Sequence, residues 1–204
     1  MEIPSKYLEH AVEQIASLPG IGKKSAMRIT LQLLKRSELE ISDFASAIIN
    51  LKINIKECNS CGNVSDEELC TICSNEKRDH TIICVVEDIR DVMAIESTGT
   101  YKGIYHVLSG LISPMEGISP NDLNIKSLIK KAETDVISEI IFALSPTMEG
   151  DTTNYYLYKK LQHTQVYISS LSRGIAVGSE LQYADELTLG RSLQQRQPFQ
   201  IQNK

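Results

Sequence analysis

Thr81-Ile82-Ile83-Cys84-Val85-Val86-Glu87-Asp88 is the stretch on which the fold turns. Its run of β-branched residues has the composition of a strand covered on both faces, as strands of a parallel sheet are. An amphipathic helix is predicted to follow, roughly over 89–96. Further short runs at 103–108, 139–144 and 165–169 alternate with helical patterns around 125–132 and 154–163. Such alternation predicts βαβ units, hence a parallel sheet flanked by helices. Cys84, inside the first strand, reads as a small core residue and not as a nucleophile.

Upstream of that strand, residues 54–79 lose all periodicity and turn Cys-, Asn- and Glu-rich, marking a separate small module. It holds Cys58-x2-Cys61-x8-Cys70-x2-Cys73. Two CxxC knuckles let each pair of thiolates grip one ion and close a tetrahedral site. The spacer is shorter than the roughly 15–20 residues usual between two knuckles, and an iron–sulfur cluster or a redox dithiol are the rivals. Two knuckles this close in a polar stretch favour one structural Zn2+ per chain. With every ligand supplied by protein, no position is left open for catalysis, and metal binding becomes folding energy for a module too short to build a core.

The N-terminal region is helical. Leu8, Val12 and Ile15 recur at helical spacing, Leu18-Pro19-Gly20-Ile21-Gly22 breaks the pattern, and Ala26, Ile29, Leu33 and Leu34 resume it. A third helix is predicted over 41–53, with Phe44, Ile48 and Leu51 inward and Ser42 or Asp43 as cap. Gly20 and Gly22 permit a very tight turn and let a phosphate approach main-chain N–H groups with no Cβ in the way. The following helix start favours an anion, and Lys23, Lys24 and Arg28 add charge on or near it. A Walker A loop is rejected, because it needs glycine where Ser17 stands and follows a strand. A plain αα-hairpin with a solvated basic face is the blander alternative.

Length and composition frame these motifs. The chain has 204 residues, 42% apolar and 23% charged, which fits one or two ordinary globular domains and argues against disorder, collagen or coiled coil. No apolar run is long enough for a membrane span and no basic-then-apolar leader opens the chain, so a cytoplasmic protein is expected. The net charge of −5 is unevenly spread: residues 1–36 carry six Lys/Arg against three Glu, a balance of +3, leaving −8 for the rest. Acidic residues gather at Glu87, Asp88 and Asp91 beyond the first strand, and at Glu149-Gly150-Asp151 beyond the strand at 139–144. Carboxyl ends of neighbouring parallel strands converge on a ligand crevice, where such acids suit a divalent hard cation such as Mg2+. Helix caps, first-turn acids and solvated side chains account for the same residues equally well.

The order of these motifs, together with Ser109-Gly110, Gly117-Ile118-x-Pro120, Thr147-x-Glu149-Gly150 and the segment from Ser172-Arg173-Gly174 to Thr188-Leu189, resembles the bacterial RecR recombination mediators over nearly the whole chain. The resemblance implies an α+β multidomain fold: a helix-hairpin-helix DNA-binding domain at 1–53, a four-cysteine zinc finger at 54–79, an α/β Toprim domain with a parallel sheet at 80–173, and a C-terminal helical tail at 174–204. It implies a DNA-binding factor that acts with RecO, RecF or both to help load RecA onto single-stranded DNA at gaps and breaks, with no catalytic residues. It further implies binding to single- and double-stranded DNA, a homotetramer ring, and a nucleoid-associated place in the cytoplasm. The family's DNA-contacting Lys and Arg match Lys24 and Arg28, and its Toprim acids match Glu87, Asp91, Glu149 and Asp151. Two positions depart from the pattern: Lys23 stands where a small residue or Pro is expected, and Asp151 shortens the arm of a usual Glu. A Mg-dependent Toprim enzyme acting on DNA, resembling a primase, topoisomerase or nuclease, is the alternative function. The clustered Tyr155, Tyr156 and Tyr158 are better explained by packing than as its nucleophile.

Overall fold

The computed structural model describes residues 3–134, 136–196 and 198. The first two residues and most of the polar end of the C-terminal segment, read above from sequence, lie outside the described residues. The chain divides into two compact units, Met1–Ile55 and Lys56–Lys204.

In the first unit the helical spacing becomes three helices: α1 (Lys6–Ala16), α2 (Lys23–Leu33) and α3 (Glu38–Asn54). α1 packs on α2 through Val12, Ala26 and Thr30, and the Thr30 hydroxyl donates to the Ala26 carbonyl at 2.9 Å, satisfying itself inside the helix. α3 corrects two expectations. It starts at Glu38, because Ser37 and Glu40 form a reciprocal capping box that outcompetes Ser42 and Asp43 further on. Its apolar side is not inward: Phe44, Ile48 and Leu51 are each about half exposed, and no residue of α3 is buried. Two short helices do not offer enough surface to cover a helix of 17 residues.

The second unit opens with a small antiparallel ribbon, β1 (Lys56–Glu57) against β2 (Val64–Ser65), inside the cysteine module. Four parallel strands follow: β3 (Asp79–Val86), β4 (Gly103–Val107), β5 (Glu139–Phe142) and β6 (Tyr167–Ser170), in the spatial order β4-β3-β5-β6. The connecting helices are α4 (Ile89–Ser97), α5 (Ile125–Ala132) and α6 (Met148–Leu161). The chain leaves β3 toward one edge and returns to its other side, so the carboxyl ends of β3 and β5 flank the point where the strand order reverses.

Alternation along β3 sends Ile83 and Val85 to one face, with Leu128 of α5 and Leu157 and Leu161 of α6. Cys84 and Val86 go to the other, with Val92 of α4, Tyr105 and the cysteine module's Ile72. Cys84 is core, as expected: burial pushes its thiol up to about 12, too high for a nucleophile. The helix predicted at 154–163 begins earlier, at Met148, because the Thr147 side chain accepts from the Gly150 N–H and caps it. Gly150 is obligatory there: a Cβ would lie 1.9 Å from the Ser145 carbonyl oxygen. In the tail, a short 3-10 turn at Leu181–Tyr183 precedes α7 (Glu186–Gln194), which Asp185 caps.

Candidate nucleic-acid interface and metal centre

The turn from α1 into α2 is tight and leaves the first helix donors open. Ile21 N–H closes the turn onto the Leu18 carbonyl at 3.1 Å, and Gly20 adopts φ +78°, a left-handed conformation that L side chains resist. Gly22 caps α2 with no side chain to accept from the first N–H groups, and the first turn carries no acid. Those donors therefore keep their full positive character. Gly22 has an ordinary negative φ, and a Cβ built on it meets no atom within 4 Å. The protein's own packing does not demand glycine there. Lys23, Lys24 and Arg28 are all exposed around this start.

The four cysteines come together as the spacing implied. Sγ atoms of Cys58, Cys61, Cys70 and Cys73 all lie within 4.8 Å of one another. Cys61 and Cys70 sulfurs are 3.6 Å apart, close to the edge of about 3.8 Å that a tetrahedron with Zn–S near 2.3 Å requires and far beyond a disulfide bond. The Cys70 N–H donates to the Cys58 sulfur at 3.3 Å, the kind of main-chain support a thiolate uses. A hydrogen bond with Cys61 pulls the Cys73 thiol down to about 5, and the same bond with Cys73 pushes the Cys61 thiol up. Four converging sulfurs, three on buried cysteines and one on the half-buried Cys73, fit a structural zinc.

This module is fixed to the sheet. Val107 N–H at the end of β4 donates to the Cys61 carbonyl at 2.7 Å, and the Asn124 side-chain amide donates to the Val107 carbonyl at 3.3 Å. Gly62, at φ +74°, lies against both: a Cβ would sit 2.9 Å from Asn124 Nδ2 and 3.1 Å from the Val107 carbonyl oxygen. Lys131, on α5, reaches the same place, with Nζ 3.5 Å from Ser60 Oγ. Burial lowers the Lys131 ammonium, while the four cysteine sulfurs favour its charged form.

The acidic residues divide into local roles. Glu87 follows β3 and is half-buried, with its carboxyl raised by burial and by Asp91 and Asp88. Asp91 accepts from the Glu87 and Asp88 N–H groups at 3.1 and 3.4 Å, closing a capping box with Asp88 at the start of α4. Glu149 and Asp151 stand in the first turn of α6. Asp151 pairs with Arg173 and lies 3.9 Å from Arg191, and the Arg173 hydrogen bond holds its carboxyl below the usual range. Among the described residues, the only cluster of three or more metal-ligating side chains is the cysteine set. Helix capping employs Asp91 and an arginine clamp employs Asp151. Sequence reasoning missed Arg173 and Arg191 as partners of Asp151, and Lys131 beside the cysteines. Only the tertiary fold brings these groups together.

Comparison with known proteins follows the same division. Residues 8–52 match the family described as RecR, helix-hairpin-helix; 55–75 match the RecR zinc finger family with four cysteine ligands; 81–172 match the Toprim domain; and 174–197 match the RecR C-terminal family. Over 200 residues the chain is 55% identical to the recombination protein RecR of Flavobacterium johnsoniae, covering 98% of this chain and 97% of that one. The recombination protein RecR of Cytophaga hutchinsonii is 54% identical over 201 residues, covering 98% of each chain. That of Parabacteroides distasonis is 50% identical over 198 residues, covering 97% of this chain and 95% of its own. Half its residues being shared from end to end, with the cysteine quartet in place, this chain belongs to the RecR family.

Proposed function

We propose that the chain is a DNA-binding recombination mediator in DNA repair, gripping sugar-phosphate backbone without reading sequence. One observation carries this: the α2 start, uncapped and free of acid, stands behind a glycine turn with Lys23, Lys24 and Arg28 exposed around it. Gly20 shapes the turn and Gly22 leaves room for phosphate. The zinc finger and sheet are rigid support. The same contacts serve single- and double-stranded DNA, because both present phosphates.

One hairpin makes few contacts and is weak and salt-sensitive alone, so several copies on a homotetramer ring gain by effective concentration. Uncovered apolar surface supports such assembly. Leu34, Phe44, Ile48 and Ile49 line a groove of about 870 Å3 in the first unit, while Leu181, Tyr183, Leu187 and Leu193 stand exposed in the second. Patches of this kind mark interaction sites. In this reading the acidic Toprim surface docks basic partners, RecO, RecF or both, and the assembly helps place RecA on single-stranded gaps in the nucleoid.

The protein acts without catalysis. The alternative of a Mg-dependent Toprim enzyme is not favoured: Asp91 caps α4 and Asp151 pairs with Arg173. Mass in solution with and without a gapped oligonucleotide tests the proposal. A ring-sized species that takes up the oligonucleotide is expected, and a monomer indifferent to DNA at low salt would overturn it. Cleavage, relaxation or primer synthesis in Mg2+ would restore the enzyme reading.

A further inference from the structure

We propose that Lys131 is a positioning residue of the metal centre: from outside the finger, its ammonium balances the negative charge of the zinc tetrathiolate and so slows loss of the metal. Four thiolates and one Zn2+ leave a net charge of −2. The finger does not supply the compensation itself. Residues 55–75 contain one basic residue, Lys56, against Glu57, Asp66, Glu67 and Glu68, a balance of −3 before the metal site is counted. Lys56 is exposed on the ribbon.

Lys131 comes from the last turn of α5, 71 residues from the knuckle it approaches. Its Nζ lies 3.5 Å from Ser60 Oγ, between Cys58 and Cys61 in the chain. The approach is held by the contacts that seat the finger: the Val107 N–H on the Cys61 carbonyl, and Asn124, the residue capping α5, against Gly62. Lys131 is half-buried, while its neighbour Lys130 is exposed. Both sit near the negative end of the α5 dipole, so the dipole alone does not explain why one of them turns inward.

A partly buried cation needs a counter-charge. Among the described residues, no ion pair joins Lys131 to a carboxylate. The thiolates are that counter-charge. Partners outside the ligand set commonly tune metal retention in this way.

The test follows zinc transfer from the full-length protein to a chromogenic chelator for wild type, Lys131→Met and Lys131→Arg, with folding checked by circular dichroism. Loss of an outer partner typically costs about 10–100-fold in metal affinity, so at least about tenfold faster release is expected from the methionine variant. The arginine variant keeps the charge and should follow wild type. Wild-type release from the methionine variant would overturn the proposal. So would equally fast release from both variants, since that would make packing, not charge, the cause. If the methionine variant fails to fold, Lys131→Gln, uncharged but polar, carries the same comparison.

Discussion

Replacing Lys24 and Arg28 together by alanine is the sharpest test of the backbone grip. The two side chains are exposed on α2 four residues apart, about 6 Å along the helix axis at about 1.5 Å per residue. Both are long side chains, and phosphates on one strand succeed each other at an axial rise of about 3.4 Å, so each side chain is assigned a phosphate of its own. Each phosphate neutralised adds about 0.9 to the slope of log K against log salt for duplex and about 0.7 for single strands. The double variant should therefore flatten the duplex slope by about 1.8 and the single-strand slope by about 1.4 for each hairpin engaged. Between 50 and 200 mM salt, a slope change of about 1.8 means that wild-type affinity falls roughly twelvefold more than the variant's. Fluorescence anisotropy on duplex and single-stranded oligonucleotides across that range reads the difference directly. The melting temperature should not move, because neither side chain is packed. Parallel salt slopes for wild type and variant, or a loss confined to one base sequence, would refute the reasoning.

The two hairpin glycines should separate folding from binding. Gly20→Ala forces a side chain onto φ +78° and should destabilise the first unit by about 1–2 kcal/mol in a denaturant titration. Gly22→Ala has no strain and no clash, so it should melt like wild type yet bind oligonucleotides less tightly. Cys61→Ser should release zinc, measured by elemental analysis, and lower solubility or assembly. Iron in the wild-type protein would contradict the zinc assignment. His106 sets an acid limit. It is fully buried, its Nδ1 has no partner among the described residues, and burial lowers it to about 4 from an ordinary 6.5. The unfolded chain therefore binds the extra proton first as pH falls, and stability drops between pH 6.5 and 4, by up to about 3 kcal/mol. Urea unfolding at pH 7 and pH 4.5 should show a steeper loss for wild type than for His106→Leu. Equal losses would exclude His106 as the source.

Much of this architecture is legible in local chemistry, and the failures have physical causes. The β3 run and the β4, β5 and β6 segments announce themselves because a parallel sheet must be apolar on both faces, and the knuckles because a thiolate quartet is a local pattern. Ser37-x-x-Glu40 is equally readable as a capping box, but Ser42 and Asp43 stand nearer the apolar periodicity and draw the helix start toward them. Pro146 and Gly150 make the start of α6 look like loop, although the proline precedes the Thr147 cap and the glycine is demanded by the Ser145 carbonyl. Phe44, Ile48 and Leu51 are apolar at helical spacing, which shows that a face wants covering and not that this chain covers it. Carboxylates are the hardest to assign. Asp91 and Asp151 look alike in sequence, and only a backbone amide or an arginine from a distant segment shows what each one does.

The way Asp91 is tied down decides how its loss would read. Its carboxylate answers two main-chain amides at the joint between β3 and α4, both through Oδ2. Removing it would unfasten the helix it pins, so a folding readout belongs beside any functional one at this position.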